Sequence, residues 1–96
     1  MDRSRALELL ARSKSALAAR YGVTHLALFG STARNAARSD SDIDILVAFD
    51  GPATSERYFG VQFYLEDLFG GAVDLVTEKA LRPELRPFVE KEAVHV

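Results

Sequence analysis

The chain predicts an α/β (α+β) fold, a small mixed β-sheet flanked by helices. Two features of the sequence support this. Segments of helical and strand periodicity alternate in the order α-β-α-β-α-β-α. The 96 residues also suffice for one core and no more, so residues 1–96 are expected to form a single domain.

The first helix is read from about Arg3 to Arg20, where Leu7, Leu10, Ala11, Leu17, Ala18 and Tyr21 fall on a 3.6-residue stripe, and Gly22 stops it. Val23 to Phe29 reads as a strand. Gly30-Ser31-Thr32-Ala33-Arg34 then has the chemistry of a strand-to-helix turn, with Ser31 or Thr32 opening the helix. Ser39-Asp40-Ser41 is turn-forming, Ile43 to Phe49 is the second strand, and Asp50-Gly51-Pro52 ends it. Thr54 or Ser55 can cap a third helix that runs to about Phe69. That helix is apolar on more than one face, through Phe59, Val61, Phe63, Leu65, Leu68 and Phe69. Gly70-Gly71 breaks it, and Ala72 to Val76 is the third strand. Pro83 is expected to open a last helix of about ten residues, and Val94-His95-Val96 reads as an edge strand.

Composition excludes several classes. No apolar run approaches the roughly 20 residues of a membrane span, and the mixed-charge start Met1-Asp2-Arg3-Ser4-Arg5 is unlike a secretory signal. There is no cysteine, hence no disulfide or thiolate site, and a cytoplasmic location is expected. The net charge of −2 is segregated: residues 1–38 carry +5, residues 39–78 carry −8 and residues 79–96 carry +1. No basic stripe suited to direct nucleic-acid binding is present. The basic first segment suits either a phosphate or a solvated helix face.

The acidic middle holds the chemistry. Asp42, Asp44 and Asp74 each interrupt an apolar strand-like run, although aspartate is disfavoured in strands and seldom buried without a partner. With side chains alternating, Asp42, Asp44 and Leu46 point one way, and Ile43, Ile45 and Val47 the other. Asp74 and Val76 likewise share one face of the third strand. Three clustered carboxylates would repel one another unless a cation lay between them. Oxygen donors on neighbouring strands suit a pair of Mg²⁺ ions about 3.5–4 Å apart. Asp42 and Asp44 would hold both ions. Asp74 would bind the one that activates an attacking hydroxyl, and would take its proton.

Gly30-Ser31 adds a phosphate cradle, because glycine allows close approach to the main chain and the Ser31 hydroxyl is a donor. Arg34, one helical turn on, is either a phosphate clamp or a surface charge. Arg38 is expected at the surface, and His25 and His95 have no partner constellation.

The run Gly30-Ser31-Thr32-Ala33-Arg34, followed through Ser41-Asp42-Ile43-Asp44-Ile45-Leu46-Val47, resembles the signature of the polymerase-β-type nucleotidyltransferase superfamily. Ten residues between Ser31 and Asp42 match the spacing of its minimal members, the MNT proteins. Chain length, the leading helix, Val73-Asp74-Leu75-Val76 and the closing Glu92-Ala93-Val94-His95-Val96 extend the likeness over nearly the whole chain. Asn35 departs from the glycine many members carry there, but asparagine also tolerates the left-handed conformation.

The resemblance implies a nucleotidyltransferase fold, two Mg²⁺ ions and ATP as substrate. Gly30 and Ser31 would lie on the triphosphate, and Asp42, Asp44 and Asp74 on metal. It also implies a helical HEPN-domain toxin as partner, silenced when AMP is transferred to one of its tyrosines. No helical domain like that of larger relatives is expected within these 96 residues. The acceptor must then be presented by another protein or by a second copy of this chain as a homodimer, and the apolar third helix is a candidate docking surface. Two alternatives stand beside this antitoxin reading: a module that neutralises its partner by occlusion without chemistry, and transfer to a small hydroxylated molecule.

Overall fold

The computed structural model describes residues 1–36 and 41–96. Its elements are α1 (Arg3–Tyr21), β1 (Val23–Phe29), α2 (Gly30–Ala33), β2 (Ile43–Phe49), α3 (Ser55–Phe69), β3 (Val73–Thr77), a 3₁₀ turn (Glu78–Ala80), α4 (Arg86–Glu92) and β4 (Val94–His95). The strands form one mixed sheet in the order β3-β2-β1-β4. β1 pairs antiparallel with both β2 and β4. β2 and β3 are parallel, and α3 is the crossover that a parallel pair requires. The predicted α+β fold is therefore observed.

Caps set the helix limits. Asp2 accepts from the Arg5 amide at 2.8 Å, and Gly22 at φ +71° closes α1 in the left-handed conformation. Thr54 caps α3 by accepting from the Arg57 amide, and Gly70 at φ +72° ends it. The α1 stripe differs from the expected one. Ala6, Leu9, Leu10, Ser13 and Leu17 are buried, while Ala11 and Ala18 face solvent. Ser13 can sit inside because its hydroxyl donates to the Leu10 carbonyl at 2.7 Å. On the exposed side Glu8 pairs with Arg5 and Arg12, which bears out the solvated-face reading for those two arginines.

One face of the sheet carries the main core. Leu26, Leu28, Ile45, Val47, Val73 and Leu75 pack against Leu10 and Leu17 of α1 and Val61 and Leu65 of α3. Burying each such side chain contributes about 1.5–3 kcal/mol. On the other face Ala27, Leu46 and Leu81 form a smaller cluster, joined by Phe29, Val76, Val89 and Ala93. This thin cover stops short of the N-terminal half of β2.

The C-terminal region departs from expectation. Pro83 lies in a turn, and the last helix begins at Arg86 with Pro87 in its first turn, leaving seven residues. Helix α2 starts at Gly30, capped by no side chain, so Ser31 lies inside it rather than at its cap. The predicted Ser39-Asp40 turn and Arg38 fall outside the described residues. Among those described, no helix is long and apolar enough to cross a membrane.

Candidate active site

The site lies across three neighbouring strands, β1, β2 and β3. Asp44 and Asp74 are direct Cα partners in the parallel β2–β3 ladder, so their side chains emerge side by side on the same face. Phe29, the last residue of β1, is opposite Asp44, which puts the following Gly30 against it. Gly30 has φ +72°, and a methyl group there would land on the Asp44 carboxylate oxygen Oδ2. Glycine is thus required twice, by its backbone conformation and by the absence of room.

Asp42 is exposed and immediately precedes β2. Asp44 is half-buried, and its carboxyl is pushed up to about 6. Burial is the largest cause, followed by the Asp74 carboxylate, through charge and a hydrogen bond, and then by Asp42; Arg34 pulls the other way. The other two predicted aspartates therefore both act on Asp44.

Among the described residues, no three acidic or histidine side chains stand ready as a closed metal site. Asp42 and Asp74 are both exposed, so packing does not fix their rotamers; what the fold fixes is where their backbones emerge. The donor set consists of carboxylates alone, the chemistry a hard divalent cation takes, and such an ion would relieve the repulsion that raises Asp44. The residues fit the group.

Ser31 lies in α2 next to Gly30, with Thr32 buried behind it. Arg34 follows the helix and is engaged by a residue that the sequence reading did not single out. Its Nη1 donates to both carboxylate oxygens of Glu92, at 3.1 and 2.9 Å, and the Gly30 amide donates to Glu92 Oε1 at 3.0 Å. Glu92 had been visible only as the first residue of the closing Glu-Ala-Val-His-Val run. Its partners lie 58 and 62 residues away, so no local pattern could name them. Asn35 takes φ +58°, the conformation expected of it, and its side chain accepts from the Arg3 amide at 3.3 Å.

A separate cavity of about 260 Å³ opens at the far end of β2, lined by Thr24, His25, Phe49, Thr77 and Lys79 among others. None of the predicted site residues lines it.

Residues 10–96 match the model of the nucleotidyltransferase domain family. The chain belongs to that family. Among similar nucleotidyltransferases, the protein adenylyltransferase MntA of Thermococcus cleftensis is 38% identical over 88 residues, covering 92% of this chain and 89% of its own. A solved structure described as a minimal nucleotidyltransferase superposes with TM-score 0.79 at 42% identity, covering 98% of this chain and 95% of that one. A chain from the complex of the tri-AMPylated Shewanella oneidensis HEPN toxin with its MNT antitoxin superposes with TM-score 0.60, over 97% of this chain and 66% of that one. At 19% identity this last likeness speaks for the fold alone.

Proposed function

We propose that this nucleotidyltransferase moves AMP from ATP to a hydroxyl, a tyrosine, of a HEPN-type protein partner, and so acts as that partner's antitoxin. The observation that carries the reading is the side-by-side placement of Asp44 and Asp74 in the β2–β3 register, with a glycine that leaves room for the Asp44 carboxylate. The adenylyltransferase similar to this chain and the AMPylated toxin bound to an MNT protein support the choice of AMP and of partner.

In the reaction the acceptor oxygen attacks the α-phosphorus of ATP. The bond from that phosphorus to the β-phosphate bridging oxygen breaks, and pyrophosphate leaves. Asp42, Asp44 and Asp74 would hold two Mg²⁺ ions, which would supply charge neutralisation on the phosphates and activation of the hydroxyl. Asp74, exposed at the outer strand of the site, accepts the hydroxyl proton on its carboxylate. Gly30 lets the triphosphate approach the main chain closely, Ser31 receives it through its main-chain amide and hydroxyl, and Arg34 adds a cation at its edge. Alignment of acceptor and phosphorus supplies much of the remaining rate.

The test is mass spectrometry of the purified HEPN partner after incubation with this chain and Mg-ATP. The expected result is a gain of one AMP per transfer, absent with Asp42→Asn/Asp44→Asn. Modification that persists with the double variant would reject the site.

One observation favours a second contribution. Phe59 and Phe63 stack on the exposed side of α3, at 48% and 63% exposure, and offer an apolar surface away from the acidic cluster. If the double aspartate variant still protects cells from the partner, binding through such a surface suffices and chemistry is secondary.

A further inference from the structure

The Glu92 carboxylate joins the two groups to which the proposed function gives the triphosphate, the Gly30 main chain and the Arg34 guanidinium. Its position is no accident of a mobile side chain. β4 lies antiparallel on β1 with Leu28 opposite Val94 and Ala27 opposite His95. Glu92 is the last residue of α4, two positions before β4, and its carboxylate reaches the Gly30 amide just past the end of β1. The strand is anchored again by the Val96 amide donating to the Leu26 carbonyl and by the Lys14 ammonium donating to the Val96 carbonyl. Glu92 thus closes on the Gly30 end of β1, one residue past the Phe29–Asp44–Asp74 row of β1, β2 and β3.

We propose that Glu92 is a positioning residue for nucleotide binding: it holds the Gly30 turn and aims Arg34 at the incoming triphosphate. This rests on the nucleotidyltransferase reading above. The contact has the form that role requires. Glu92 engages Arg34 through Nη1 alone, so the contact does not use Nε or Nη2. At Gly30 it takes the amide at the entry of the turn and not the amide or hydroxyl of Ser31. Arg34 already acts on Asp44 from this position, since its charge opposes the rise in the Asp44 pKa. A flexible, half-exposed arginine would otherwise sample many rotamers, and fixing it before the ligand arrives reduces the entropy lost on binding.

The experiment measures, by calorimetry, the dissociation constant of a magnesium-bound non-hydrolysable ATP analogue for the full chain. Glu92→Gln keeps an acceptor for the Gly30 amide and loses the charge that holds Arg34, so the fold is retained, which thermal melting without nucleotide verifies. The expected result is about 10-fold weaker binding. Arg34→Ala gives a similar loss, and the double variant binds no more weakly than either single one. Glu90→Gln, on an exposed pair with Arg86 in the same helix, leaves binding unchanged. In transfer assays the Glu92→Gln loss falls on KM with kcat retained, a split that a merely destabilised fold does not produce.

Binding by Glu92→Gln equal to or tighter than wild type overturns the proposal, the tighter case meaning that the carboxylate only competes for the phosphate donors. So do losses that add independently. A wild-type chain that binds the analogue yet transfers no AMP sinks the reaction and leaves the Glu92 assignment standing; one that binds no nucleotide removes both.

Discussion

The two faces of β2 differ in almost every respect although they share one backbone. Ile43, Ile45 and Val47 enter the core between the sheet and helices α1 and α3, and each is at most 8% exposed. Asp44 and Leu46 face the other way, where, among the described residues, cover comes from Leu81, Val89 and Ala93 and ends before the aspartate. Strand alternation lets a seven-residue element support the fold with one set of side chains and carry ionisable chemistry with the other. In so short a chain this economy has a cost, because the carboxylates stand directly behind the core that must tolerate them.

The comparison is sharpest when neighbouring residues are changed. Asp44→Asn is expected to lower AMP transfer by at least about 100-fold while the protein stays folded, as assayed by partner labelling and circular dichroism. Ile45→Ala, one residue on and fully buried, should do the reverse. It costs about 2–4 kcal/mol in denaturant melts, with turnover per folded molecule nearly unchanged. If Ile45→Ala abolished transfer in the folded fraction, the division between the two faces would not hold.

Gly30→Ala tests the join between them. Left-handed backbone strain alone costs about 1–3 kcal/mol, and the new methyl must displace the Asp44 carboxylate. Nucleotide binding should therefore fall together with the melting temperature.

The smallest effect concerns pH. The Asp44 carboxyl is raised in the folded chain from 3.8 to about 6, so between those values the native state holds more proton than the unfolded one. By linkage, the metal-free protein gains stability from this group as pH falls from about 7 toward 4, and loses it as pH rises through 6. Melting temperatures across that range should show the trend, and Asp44→Asn should flatten it. Added magnesium at neutral pH should stabilise wild type and not the asparagine variant.

Much of this was legible in the sequence because its causes are local. Gly22, Thr54 and Gly70 mark helix ends by chemistry confined to one turn, and the apolar–acidic alternation around Asp44 and Asp74 already fixes which side of a strand each faces. Where local signals are degenerate the reading slipped. Pro83 and Pro87 are both credible helix-opening prolines, and the packing of Val89 and Ala93 against Leu46 accompanies a start beside the second. The Ser31 and Thr32 hydroxyls both resemble caps, yet the close approach of Gly30 to Asp44 sets where α2 begins. Glu92 was out of reach altogether, since it acquires meaning only once β4 docks on β1.

The missing space between Gly30 and Asp44 also bears on how such a domain can diverge. A lineage that keeps the aspartate is bound to keep the glycine, whereas one that surrenders the carboxylate frees the turn to accept a residue, such as asparagine, that tolerates the left-handed backbone. The two positions should accordingly be retained or abandoned as a pair, so that a degenerate, inactive descendant would carry a double scar rather than a single one.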